Sequence, residues 1–240
     1  MKHAIAIFMM LFFKTLLADG SEPELRVQHR RPSAATLIND GRILCVANRR
    51  SGTLSLVDTE RRHVSERQIG QQLSDVVVVP GSDQMLVTDF AGSMVVVVNH
   101  SEDGLNILDR VEVAAWPESV VVNQSGDLAC VASLWSRRVN ILKRREPAQG
   151  VTSRFAMQHQ IDLPFAPKAS VFVGADHVVV ADCFGGRLAV IDCEAGVICA
   201  EHELPVHNIR DIAPGSDGRL YLTCQRLNSK AHADYEDIHW

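Results

Sequence analysis

The feature that most constrains the fold of this chain is an internal repeat. A segment of two apolar strands recurs five times along the 240 residues. Equivalent positions are separated by 40, 45, 49 and 43 residues, and periods in the forties are typical of β-propeller blades rather than of leucine-rich or ankyrin arrays. The repeat predicts an all-β fold of about four and a half blades, because the fifth unit carries only its first two strands. The equivalent positions are Cys45, Met85, Cys130, Val179 and Leu222.

Each repeat has the pattern of four short strands joined by turns. In the second unit an inner strand at Asp75–Val79 is followed by strands at Met85–Thr88, Met94–Val98 and Asn106–Val113. Gly, Asp and Asn recur at the first turn of the units, and these residues tolerate the positive φ of tight hairpins. Inner strands are apolar on both faces, as expected of a sheet packed between two others, whereas outer strands are more polar. A β-sandwich is the alternative architecture, but it does not explain the period.

Composition supports this fold and limits the partners. Hydrophobic residues make up 46% of the chain, and the runs of valine among them favour strands. No stretch of helical periodicity follows the first twenty residues, which argues against α/β alternatives. The net charge of −5 argues against nucleic acid as the main partner, since phosphate binding needs a basic surface.

The first twenty residues have the layout of a secretory signal peptide. An apolar run at Ala4–Phe13 is followed by the small residues Ala18 and Gly20, at −3 and −1 of a cut after Gly20. An uncleaved membrane anchor is the alternative, although ten apolar residues are few for a span that needs about 20. We predict an exported protein (periplasmic, cell-surface or secreted) with a signal peptide at 1–20, propeller repeats at 21–226, a tail at 227–240 and no membrane association after cleavage.

The six cysteines do not show the spacing of a disulfide framework. Cys45, Cys130 and Cys224 occupy the same strand of different units and are flanked by apolar residues, so we predict buried thiols for all three. Cys45 and Cys130 lie in blades that are not neighbours, so we also predict that they are unpaired. Cys193 and Cys199 flank a hairpin turn, where a bridge between them stays open. The state of Cys183 is not determined by its position in the sequence.

The repeat units resemble the YVTN-type β-propeller family. The segment Leu44–Asn48 (Leu-Cys-Val-Ala-Asn), followed by Ser51–Asp58 (Ser-Gly-Thr-Leu-Ser-Leu-Val-Asp), matches the family pattern most closely, and Arg187–Asp192 matches it again. The resemblance covers about residues 32–225 and implies a propeller. Because such propellers usually have seven blades, it also implies an open or incomplete ring here. Glu24–Arg30 is a candidate outer strand. An open arc would leave the faces of the first and last blades uncovered, so we expect either marginal stability as a monomer or a partner that supplies the missing blades.

Motifs for catalysis, metal binding or cofactor binding are absent from the sequence. The end of the chain, from Leu222, resembles a stretch of longer bacterial propeller proteins that carry cytochrome c domains, yet no cysteine has the Cys-x-x-Cys-His spacing of haem attachment. No nucleophile elbow, Walker loop or dinucleotide fingerprint occurs, and His202 and His207 would need ligands from other blades to hold a metal. We therefore predict no catalytic residue, no metal and no cofactor.

Binding is predicted on the propeller face, where rigid sheets hold exposed loops. This face is formed by the loops that lead into inner strands and the loops between second and third strands. Mixed charges with aromatic side chains favour recognition, although the charged loops could simply be solvated and the aromatic rings packed between blades. The candidate binding residues are Arg49, Arg50, Asp75, Asp89, Glu118, Trp135, Lys168, Asp182, His207, Arg210 and Asp211.

Three hypotheses for function follow from these observations. The first is an exported, non-enzymatic binding or scaffold module for another exported protein or a small ligand. The second is a redox-associated subunit that docks a cytochrome c partner. The third is a propeller-type lactonase or other hydrolase, which would require acidic, Arg and His side chains to converge at the mouth of the channel.

Overall fold

The computed structural model describes residues 29–101, 104–145 and 154–225. Over these ranges the chain forms eighteen β-strands and no helix, so the all-β prediction is confirmed. No helix in these ranges is long and apolar enough to cross a membrane. The predicted signal peptide at 1–20, the tail at 227–240 and most of the candidate strand Glu24–Arg30 lie outside the described residues.

The strands form four antiparallel sheets of four strands and one sheet of two, which we call blades 1 to 5 in chain order. Within each blade the chain runs stepwise from an inner strand outward, every strand pairing with the next. Blades 1 and 2 contain β1 (Pro32–Ile38), β2 (Ile43–Asn48), β3 (Thr53–Asp58), β4 (His63–Gln68), β5 (Leu73–Val78), β6 (Gln84–Asp89), β7 (Met94–Ser101) and β8 (Gly104–Glu112). Blade 3 contains β9 (Pro117–Val122), β10 (Leu128–Ser133), β11 (Arg138–Arg145) and β12 (Arg154–Asp162). Blades 4 and 5 contain β13 (Pro167–Val173), β14 (His177–Asp182), β15 (Arg187–Asp192), β16 (Val197–Glu203), β17 (His207–Pro214) and β18 (Leu220–Gln225).

The valine runs form strands that are buried on both faces. In β7, Val95 and Val97 belong to the core between blades 2 and 3, whereas Val96 and Val98 belong to the core between blades 1 and 2. This division follows from the period of two in a strand, which points successive side chains to opposite faces of the sheet. The same alternation explains why the segment Val95–Val98 is apolar on both faces of the sheet. At the rim, every residue of β4 is exposed.

Four apolar cores hold consecutive blades together, one in each gap from blade 1 to blade 5. Cys45 lies in the first core and Cys130 in the third; both are fully buried and free, as predicted. Cys193 is also buried, whereas Cys199 is exposed, and the bridge that their spacing left open is not formed. Cys183 is buried and free. The predicted burial of Cys224 is wrong: this cysteine is exposed, because β18 is the outer strand of a two-stranded blade and no further described strand covers it.

The five blades form an arc whose ends are not packed together. β1 packs against β5, β5 against β9, β9 against β13, and β13 against β17, but within the described residues no comparable packing joins β17 to β1. On the outer face of blade 1, Leu37, Leu44, Val57 and Val64 lie opposite one another across all four strands. Leu37 and Val64 are 55% and 53% exposed. Among the described residues nothing covers this face, as predicted for the first blade of an open arc.

Candidate functional site

The inner strands of all five blades begin around one end of the central channel. There they enclose a cavity of about 550 Å³, which we call the channel mouth. Every blade contributes side chains from the beginning of its inner strand, and the loop after β2 adds another. Six of the eleven candidate residues from the sequence line this cavity: Arg49, Asp75, Glu118, Lys168, Arg210 and Asp211.

Glu118 joins two cations in the channel mouth. Nη1 of Arg49 donates hydrogen bonds to both carboxylate oxygens of Glu118, at 3.2 and 3.1 Å, although 69 residues separate the two in sequence. Nζ of Lys168 lies 3.8 Å from the same carboxylate. The guanidinium of Arg49 also lies over the Phe90 ring, with 4.2 Å between Cζ and the ring centroid, which is a cation–π contact. These contacts compensate the charge of Glu118 and fix the position of Arg49.

Asp75 is a partly buried carboxyl in the wall of the mouth. Its Oδ2 atom accepts a hydrogen bond from the Val120 N–H of the next blade at 2.9 Å, and Oδ1 accepts one from the Val76 N–H at 2.8 Å. Burial raises the pKa of Asp75, against the lowering effect of these hydrogen bonds, and the nearby Glu118 and Asp211 carboxylates raise it further. Asp75 thus links blades 2 and 3 and is sensitive to charge placed in the mouth.

Serine hydroxyls connect each of the first three inner strands to the next one. Oγ of Ser33 donates to the Leu73 carbonyl at 2.9 Å, and Oγ of Ser74 donates to the Pro117 carbonyl at 2.6 Å. Ser119 donates in the same way to the inner strand of blade 4. These bonds hold the wall of the mouth in place. These serines are not among the candidate residues from the sequence; their recurrence at the start of three inner strands is the signal that could have identified them.

Two further arginines give the mouth a surplus of positive charge. The side chains of Arg31 and Arg210 line the cavity and form no hydrogen bond or ion pair within the described residues. With the two cations bound to Glu118 they make four cations, against three carboxyl groups in the wall. The arrangement therefore favours an anionic ligand over a cationic one.

Two of the remaining candidates organise loops instead of lining the mouth. Asp89 and Asp182 are the last residues of the second strands of blades 2 and 4, and both are buried. The carboxyl of Asp89 accepts hydrogen bonds from the N–H groups of Gln71, Gln72 and Gly92, at 2.9, 2.9 and 3.1 Å. That of Asp182 accepts one such bond within the described residues, at 3.0 Å from the N–H two positions later. Asp89 thereby fixes the loop that leads into β5 and the channel mouth.

The other candidates lie on the surface outside the mouth. Trp135, between β10 and β11, faces Phe184, between β14 and β15, with 5.8 Å between ring centroids and 38° between ring planes. The two side chains are 58% and 51% exposed, so these rings are not packed away between blades; we call the pair the aromatic ledge. Arg50 and His207 are exposed. Within the described ranges, no group of three or more His, Cys, Asp or Glu is placed to hold a metal ion.

Comparison with known proteins identifies the fold. No protein-family model matches the chain, and no curated protein matches it. Kuenenia stuttgartiensis hydrazine synthase superimposes with a TM-score of 0.71 at 18% identity, over 90% of this chain and 61% of the other. The Cps50 (Swd1) β-propeller domain of Myceliophteria thermophila gives 0.64 at 17% identity, over 82% and 63%. A catalytically inactive Staphylococcus aureus virginiamycin B lyase with quinupristin gives 0.63 at 14%, over 82% and 64%.

These similarities show that the chain has a β-propeller fold. The identities are too low for more than the fold to be read from them. The chain spans less than two thirds of the length of each of these structures. The four full blades and one half blade of the described residues agree with the blade count that the repeat predicts.

Proposed function

We propose that this chain is an exported, YVTN-type β-propeller that binds a small anionic ligand at the channel mouth. The observation that carries the proposal is convergence: five inner strands place four cations around one cavity of about 550 Å³, and two of the cations have no partner within the described residues. Ligand sites in proteins have this size and a few convergent polar groups. Export rests on the signal-peptide pattern at 1–20, and N-terminal sequencing of the secreted protein should begin at Ser21.

The geometry favours binding over hydrolysis. A propeller lactonase would require acidic, Arg and His side chains to converge at the mouth of the channel. Acidic and Arg residues line the mouth, but among the described residues no histidine lines it. The full set that the lactonase hypothesis requires is therefore not present, and we do not carry that hypothesis forward.

Isothermal titration with butanoate tests the anion site. Arg210→Gln removes an unpaired cation and should weaken butanoate binding about fivefold or more, because a hydrogen bond to a charged group contributes about 1.5–3 kcal/mol when fully formed. Glu118→Gln releases Arg49 and Lys168 from their carboxylate and should strengthen binding. Arg219→Gln is the control, since Arg219 pairs with Asp217 in the turn after β17. Equal affinities in all four proteins would refute the site.

A protein partner at the aromatic ledge is the second candidate function. Exposed Trp and Phe side chains supply anchors in protein interfaces, and Trp135 and Phe184 present two adjacent rings. An exported cytochrome c remains one such partner. Trp135→Ala should abolish binding of exported proteins from the source organism in a pull-down, whereas Trp116→Ala, which removes another exposed ring outside the ledge, should not. Loss in both variants, or in neither, would count against the ledge.

A further inference from the structure

Below the channel mouth, the inner strands of blades 2 to 4 line a second cavity that is apolar. Its volume is about 820 Å³, and Val77, Val121, Val171 and Phe172 form its wall. Gln124 and Ser125 mark its far end, in the turn after β9. Partly exposed valines in a channel leave apolar surface in contact with water. Covering that surface with an apolar ligand would be favourable, because burial of apolar surface lowers the free energy.

The two cavities adjoin each other. Val121 lines both of them. On β5 the chain passes from Asp75 in the mouth to Val77 in the lower cavity, and on β9 it passes from Ser119 to Val121. Since a strand advances about 3.3 Å per residue, charged and apolar walls lie only about 7 Å apart along the channel. A single ligand could touch both.

We propose that the ligand of the channel is an amphipathic anion, with its head group in the mouth and a hydrocarbon tail along Val77, Val121 and Val171. The inference rests on the proposed anion site and adds the chemical class of the ligand. The head is carboxylate-like because Arg31 and Arg210 are the cations left unpaired within the described residues. The tail is aliphatic because the wall below the mouth offers methyl groups.

The length dependence of binding tests the tail. Butanoate, hexanoate, octanoate and decanoate are titrated below their critical micelle concentrations, with alkylammonium ions of equal length as controls. Affinity should rise with each methylene, by at most about fourfold, which is the value for complete burial of the group. The alkylammonium ions should bind at least tenfold more weakly than the carboxylates. Equal affinity for cations and anions would overturn the assignment of the head group.

Variants separate the tail site from the head site. Val77→Thr combined with Val171→Thr changes two positions that line only the lower cavity, and it keeps side-chain shape and strand preference but adds hydroxyls to the wall. It should leave butanoate affinity unchanged and flatten the rise with length. Leu37→Thr, on the uncovered face of blade 1, should leave the whole series unchanged. If Leu37→Thr flattens the series and the channel variant does not, the tail binds at that face and the inference is wrong.

The outcomes distinguish the two proposals. Equal affinity from butanoate to decanoate would overturn the amphipathic inference and leave the anion site intact. No binding of any carboxylate would overturn both. Binding to vesicles of anionic phospholipid without binding of the free alkyl carboxylates would show recognition of a lipid surface, which also contradicts a tail held in the channel.

Discussion

Replacing Asp89 by alanine should destabilise the fold more than the same change at any surface carboxylate. The substitution removes the acceptor of three backbone N–H groups, those of Gln71, Gln72 and Gly92. An unsatisfied donor costs about 1–3 kcal/mol, and the low end applies here because Gln71 and Gln72 are exposed and water can reach them. For three donors, the free energy of unfolding should therefore fall by about 3 kcal/mol. For a chain of this length the Tm should fall by about 6–12 °C.

Asp182→Ala is the matched control, because Asp182 occupies the equivalent strand end and accepts one such hydrogen bond, at 3.0 Å. Asp182→Ala should lower the free energy of unfolding by about 1 kcal/mol and the Tm by about 2–4 °C. Differential scanning calorimetry at one pH and one protein concentration measures both variants. Asp89→Ala should also weaken butanoate binding, since the loop it fixes leads into β5 and Asp75. Equal Tm losses in the two variants would refute the count of hydrogen bonds as the cause.

Four further predictions follow from individual residues. Because burial raises the pKa of Asp75 in the folded state, protonation of this carboxyl favours folding. The free energy of unfolding should therefore fall as pH rises above the ordinary carboxyl pKa of about 4, and Asp75→Asn should flatten that fall in urea titrations. Gly186→Ala should lower the Tm, since a Cβ atom would collide with the backbone carbonyls of Leu204 and Val206 in the loop between β16 and β17. Lysine in place of Leu37 or Val64, on the uncovered face of blade 1, should reduce self-association in sedimentation velocity. Burial raises the pKa of the Cys45 thiol to about 12, so a thiol reagent should label Cys45 only after unfolding. The exposed Cys199 and Cys224 should be labelled rapidly in the native chain.

The strands and their packing could be predicted from the sequence, because both depend on local pattern. The predicted strand Met94–Val98 lies within β7 (Met94–Ser101), and its alternating valines are divided between two cores. The buried, unpaired state of Cys45 and Cys130 follows from the same repeat. The uncovered face of blade 1 was also predictable, since the count of repeats is smaller than the usual number of blades.

Only the tertiary structure decided which loop residues form the site. Arg49 and Glu118 are 69 residues apart, and their contact depends on the rotation of blade 3 relative to blade 1, which no local pattern contains. Asp75 and Asp89 both looked like surface acids in the sequence. Asp75 lies in the channel wall. Asp89 accepts hydrogen bonds from three loop N–H groups, because a carboxyl at the end of a second strand lies beneath the loop that enters its own blade. Burial alternates along a strand and can be predicted from sequence; convergence between blades is a property of the assembled arc.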